Sequence, residues 1–286
     1  MKTILSKNLG RVVAAIALAV AGSSAFAAQS WDLTACSGSE NLGTSKTCSN
    51  SGSAAGLVLY GYSNDFDSNT NSTNFSSATI YNWGSSNGLG IVSSVENSGA
   101  TGPHAIDGKS GIDALMVKFS NGAVNLDSVK IGWNGTDDYS SSSSYNDSDL
   151  SVFAWNGSTA PNPTTTSPSG LVGTGWTLIG NFADVGDKAG NKASLTTSVY
   201  SSYWLISAYS SAYGTTATGG GTLGQGNDAF KLLALAGNTC AGSVTGGVCG
   251  NGGGNSNGVP EPGSLALMGV AMMGFVASRR RKQQAA

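Results

Sequence analysis

No arginine stands between Arg11 and Arg279, and His104 is the only histidine of the chain. Charged residues make up 10% of the sequence, and Leu, Glu, Lys and Arg are too scarce for a helical protein. The missing arginines argue against nucleic acid, whose phosphates are neutralised by clustered Lys and Arg. The single histidine leaves little to build a zinc site with. Neither cysteine pair has the two-to-four-residue gap of a zinc knuckle. No sustained helical period runs through the middle of the chain. Its abundant Ser, Thr, Asn and Gly compete with helix through local hydrogen bonds and backbone freedom.

What is present points outward from the cell. Lys2, Lys7 and Arg11 precede an apolar run at 12–21, and Ala25-Phe26-Ala27-Ala28 offers the small residues of a signal-peptidase site. Cleavage after Ala27 is expected, so 1–27 is a signal peptide. The run is too short to span a bilayer, which takes about 20 residues. With the signal gone and the last four cations, Arg279, Arg280, Arg281 and Lys282, removed with the tail, seven lysines face sixteen acids, a net charge of −9. That surface repels nucleic acid and anionic lipid, keeps the protein solvated, and suits divalent cations.

Four cysteines fall into two local pairs, Cys36 with Cys48 and Cys240 with Cys249. An even count in an exported chain favours disulfides. Sequence proximity favours the two local bridges, and a cross-link between the chain ends is the rival.

From 56 to 238 short apolar runs alternate with clusters of Gly, Asn, Ser and Asp. This rhythm predicts strands at 57–62, 79–83, 89–95, 114–119, 129–133, 150–155, 176–182, 203–209 and 229–235. Val129, Ile131 and Trp133 are expected on one face, with Ser128, Lys130 and Gly132 on the other, wet face. The fold class is all-β, a single β-sandwich or jelly roll over 28–245, with the aromatics supplying its core or a sugar-stacking face. The stretches 140–144 and 158–170 read as loops, and 246–258 as a glycine-rich linker.

The tail 259–286 begins with Val259-Pro260-Glu261-Pro262, continues in an apolar stretch at 264–278 and ends in Arg279-Arg280-Arg281-Lys282. At about 1.5 Å per residue the stretch barely crosses a hydrocarbon core, and the basic cluster fixes the C-terminus on the cytoplasmic side. The prolines keep the segment ahead of it extended. Motif, apolar helix and basic end together resemble a PEP-CTERM sorting domain. The resemblance implies transient inner-membrane insertion through 264–278 and processing near the motif by an exosortase. It also implies delivery to the cell surface or extracellular matrix of a Gram-negative bacterium, beside exopolysaccharide in biofilm.

Within the domain, His104-Ala105-Ile106-Asp107 and then Asp113 precede Asp147-Ser148-Asp149, which leads into a strand. This order is similar to a subgroup of exosortase-dependent surface proteins. A looser likeness, Ala105-Ile106-Asp107-Gly108 followed by two strands, is to discoidin-like jelly rolls, which implies sugar binding. Asp137, Asp138, Asp147 and Asp149 are oxygen donors of the kind calcium takes, and equally the aspartates of solvated or hydrogen-bonded turns. A Ser-His-Asp site around His104 and Asp107 needs a nucleophile and an oxyanion hole, and no Gly-x-Ser-x-Gly elbow is read in the sequence. His104 is instead expected in a turn, bonded to Asp107. The function expected is therefore non-enzymatic, a surface or matrix protein. A carbohydrate-binding module is the alternative, and a secreted hydrolase comes third.

Overall fold

The computed structural model describes residues 29–36, 40–48, 56–64, 73–94, 104–108, 111–120, 122–135 and 148–250. They form β1 (Gln29–Asp32), β2 (Asn41–Gly43), β3 (Ser45–Cys48), β4 (Leu57–Ser63), β5 (Ser76–Asn82), β6 (Leu89–Val92), β7 (Ile106–Asp107) and β8 (Asp113–Phe119). Then follow β9 (Val124–Gly135), β10 (Leu150–Trp155), β11 (Trp176–Phe182), β12 (Lys192–Ser194), β13 (Tyr203–Ala208), β14 (Ala229–Thr239), β15 (Val244–Thr245) and β16 (Val248–Cys249). Among the described residues one four-residue α-helix, Pro168–Leu171, and short 3-10 turns complete the structure.

One antiparallel path runs β11-β10-β13-β8-β4-β5-β6-β14-β9-β12. β5 turns the corner in it. Ser76, Ser77 and Ala78 pair with β4, while Thr79 to Asn82 pair with β6, so one strand serves two layers. Trp31 of β1 meets Phe119 of β8 edge-on at 4.8 Å across the space between the layers. Trp204 of β13 donates its indole N–H to the Val124 carbonyl at 3.1 Å. The two layers thus enclose a common core, a β-sandwich, that includes Leu59, Val117, Val152, Leu126, Ile131 and Phe230.

The expected wet face is absent from much of the first layer. Along β10, Leu150, Val152 and Ala154 point into the sandwich, while Phe153 packs outward with Leu205, Met116, Tyr213, Trp176 and Leu171 in a second core. The segments 156–175 and 209–217 lie over that face, which is why β8, β10 and β13 are apolar on both sides.

Both local disulfides form, Cys36–Cys48 and Cys240–Cys249. The second moves the expected linker boundary. Val244 pairs with Cys249 and Thr245 with Val248 around Gly246 and Gly247, whose φ values of 59° and 80° suit a tight hairpin turn. Residues 246–250 belong to the folded unit, because the glycines there make a turn rather than a tether.

Candidate functional site

Ser148-Asp149 and the Asp107-Gly108 end of the other motif meet through a residue not singled out in the sequence, Asp228. The backbone N–H of Asp149 donates to Asp228 Oδ1 at 2.8 Å, and the Gly108 N–H donates to the Asp228 carbonyl at 3.2 Å. Asp149 in turn accepts from the Asp184 N–H at 2.8 Å through Oδ1 and from the Gly224 N–H at 2.6 Å through Oδ2. Ser148 Oγ accepts from the Gly186 N–H at 2.7 Å. Ser148, Asp149 and Asp228 are fully buried. A buried carboxylate needs such donors, and these three side chains clamp the 184–186 loop and residue 224 onto the head of β14. Burial first, and then the charges of Asp149 and Asp228, push the neighbouring Tyr209 hydroxyl above its usual pKa. Asp107 and Asp113 are buried at the ends of β7 and β8. Asp137, Asp138 and Asp147 lie outside the described residues, and among those described no group of three His, Cys, Asp or Glu is placed to hold a metal ion.

His104 goes elsewhere, into an aromatic cluster. Its ring stacks on Trp83 at 5.8 Å and lies tilted against Tyr81 at 5.3 Å, and its buried Nδ1 has no hydrogen-bond partner among the described residues. Burial first, then the Lys231 charge, lowers its pKa, so the imidazole is neutral at neutral pH. The close approach needs Gly90: a Cβ there would stand 1.6 Å from the His104 carbonyl oxygen. Gly132 does the same for the β5–β6 turn, since a Cβ on it would fall 2.5 Å from the Asn87 carbonyl oxygen. Gly132 also bulges. Lys231 pairs with Trp133 and Leu232 with Ile131, so β9 spends one extra residue there. Trp133 is thereby turned to the outer face, against the expectation that it shares the core side with Val129 and Ile131. There the Lys231 Nζ lies between the rings of Trp83 and Trp133. Trp83 keeps 38% of its surface exposed.

The expected absence of a Gly-x-Ser-x-Gly run is corrected here: Gly84-Ser85-Ser86-Asn87-Gly88 has that spelling. It forms the exposed turn between two strands, β5 and β6, rather than a strand-to-helix elbow, so Ser86 lacks the setting of that nucleophile.

A third place is open. A cavity of about 580 Å³ lies between Trp155, Tyr200, Tyr203 and the turn at Gly246 and Gly247. A smaller one, about 310 Å³, lies between Trp155, Trp176 and the threonines of 159–174. Trp155, Thr159 and Ala160 line both. The Trp155 indole N–H donates to the Thr159 carbonyl at 2.6 Å, and its ring meets Trp176 edge-on at 5.2 Å.

Residues 258–282 match the PEP-CTERM protein-sorting motif. The chain thus carries, in this tail, the motif that directs proteins to exosortase sorting and the cell surface. No curated protein matches it in sequence. The match coincides with the tail expected from Val259, Pro260, Glu261, Pro262 and the basic cluster Arg279 to Lys282. The signal site Ala25, Ala27 and Ala28, the tail itself and the apolar stretch at 264–278 lie outside the described residues. Among the described residues no helix is long and apolar enough to cross a membrane. In sequence the PEP-CTERM motif begins at residue 258, shortly after the β15–β16 hairpin, the last of the described elements.

Proposed function

We propose that the mature protein is a non-enzymatic component of the cell surface or extracellular matrix and acts alongside exopolysaccharide in biofilm. The observation that carries this reading is the placement of the sorting motif directly behind a β-sandwich stapled near both ends by disulfides. The polar groups that hint at chemistry support it. Asp149 and Ser148 spend their side chains holding backbone N–H groups, as structural residues do. Mass spectrometry of the protein recovered from the cell surface tests the sorting half. A C-terminus at or near Val259 to Pro262 is expected, and an intact Arg279 to Lys282 end overturns processing. Deletion of the gene tests the matrix half, with thinner or less cohesive biofilm as the expected phenotype.

Carbohydrate binding is a second reading, favoured by the aromatic-walled cleft at Trp155. Calcium at Asp137, Asp138 and Asp147 is a proposal too, Asp149 being taken up by the Asp184 and Gly224 N–H groups; titration calorimetry with calcium should give heat and a raised melting temperature.

A further inference from the structure

We infer that the cleft astride Trp155 binds a neutral oligosaccharide in two adjoining subsites. This rests on the carbohydrate-binding reading and adds to it a place and a class of ligand. The two cavities share Trp155, Thr159 and Ala160, so a linear ligand passing over the indole would enter both. Their volumes, about 580 and 310 Å³, fall in the range of small-ligand sites, about 300–1,000 Å³.

The chemistry of the walls selects the ligand. Among the described residues no charged side chain lines either cavity, although the folded domain as a whole is acidic. A uronate, sulfate or phosphate would lose its water without gaining a cation from the walls, since Lys118, which lies over the Tyr203 ring at 5.7 Å, is not itself a lining residue. Hydroxyls and amides abound instead, with aromatic rings among them. Such walls fit a ligand with apolar ring faces and many hydroxyl edges, which describes an uncharged sugar chain.

The site is also built rigidly. A Cβ on Gly157 would stand 2.2 Å from the Trp155 ring and one on Gly175 2.6 Å from it, so both glycines leave room for the indole. The opposite wall is the β15–β16 turn, held by the Cys240–Cys249 disulfide and by the Tyr200 N–H donating to the Gly247 carbonyl at 2.7 Å. A wall fixed before the ligand arrives lowers the ordering cost of binding.

The test uses the exported full chain, titrated with neutral glucan, galactan and mannan oligosaccharides and with oligogalacturonate, followed by tryptophan fluorescence and calorimetry. Saturable binding of a neutral oligosaccharide is expected, weakened about thirtyfold by Trp155→Ala and by Tyr200→Ala and unchanged in Trp83→Ala. If Trp155→Ala does not fold, Tyr200→Ala and Asn156→Asp, which brings a charge to the cleft, decide the matter. Neutral sugar bound with undiminished affinity by the cleft variants overturns this site and leaves the carbohydrate reading standing. Preference for oligogalacturonate overturns the neutral class, and no saturable binding to any of the four overturns site and reading together.

Discussion

Lys231 places its Nζ 4.4 Å from the ring centroid of Trp83 and 4.4 Å from that of Trp133. The ammonium is thus held between two indoles, one from the β5–β6 turn and one from β9. Burial lowers its pKa to about 8, while the faces of both rings favour the charged form and oppose that shift. Lysine serves here as a packing element that fastens the hairpin tip to the second layer.

Stability should vary with pH in three windows. Lys231 has a folded pKa near 8 against 10.5 unfolded, so between these values the unfolded chain binds more protons and stability rises with pH. Tyr62 acts in the opposite sense: burial raises its pKa from 10.0 to about 12, so stability falls again above pH 10. On the acid side His104, lowered from 6.5, makes stability fall as the pH drops through that value. Urea midpoints across the pH range should show this profile, and Lys231→Met should flatten the rise above pH 8.

Glycines of equal flexibility should differ sharply in importance. Gly90→Ala drives a methyl into the His104 carbonyl and should cost more than about 3 kcal/mol or prevent folding. Gly84→Ala meets no atom within 4 Å and pays only for its φ of 84°, about 1 kcal/mol. Denaturant unfolding of the two variants gives the comparison. Equal midpoints would show that the hairpin tip can retreat.

Asp149→Ala should destabilise the fold by about 3 kcal/mol or more, since it strands the N–H groups of Asp184 and Gly224. Asp149→Asn, which keeps one acceptor, should lose less. The same variants bear on the hydrolase reading. An activity that survives His104→Ala and Asp149→Ala with the fold intact ends it.

The Cys240→Ser, Cys249→Ser double variant should lose about 2–3 kcal/mol by the chain-entropy argument. Equilibrium unfolding with and without reductant measures this. Reductant should lower the midpoint of the parent chain and leave the remaining difference to Cys36–Cys48.

The nine strands expected from apolar runs all occur, with ends displaced by a few residues, because each run is bounded by turn chemistry that is local in sequence. Strands that no apolar run marks, such as β1, β7 and β12, are short and gain their pairing from distant partners. Trp133 departs from simple alternation for a related reason. Alternation places it with Ile131, and only the packing of Asn87 on Gly132 explains the bulge that reverses it. Asp149 was legible as a special aspartate, while its role depends on Asp228, Asp184 and Gly224, none of which lies near it in sequence. The Trp155 cleft joins strands β10 and β13 to the terminal hairpin, a meeting that no periodicity records.

The way β14 is held has a mechanical meaning. Its one edge pairs with β9 from Ala229 to Thr239, and its other edge carries β7, β6 and β1 in turn. Because Cys240–Cys249 short-circuits the terminal hairpin, tension on the tail bypasses that hairpin and enters at the end of β14. The load then runs along a strand gripped on both sides, so many hydrogen bonds resist sliding together instead of peeling one by one.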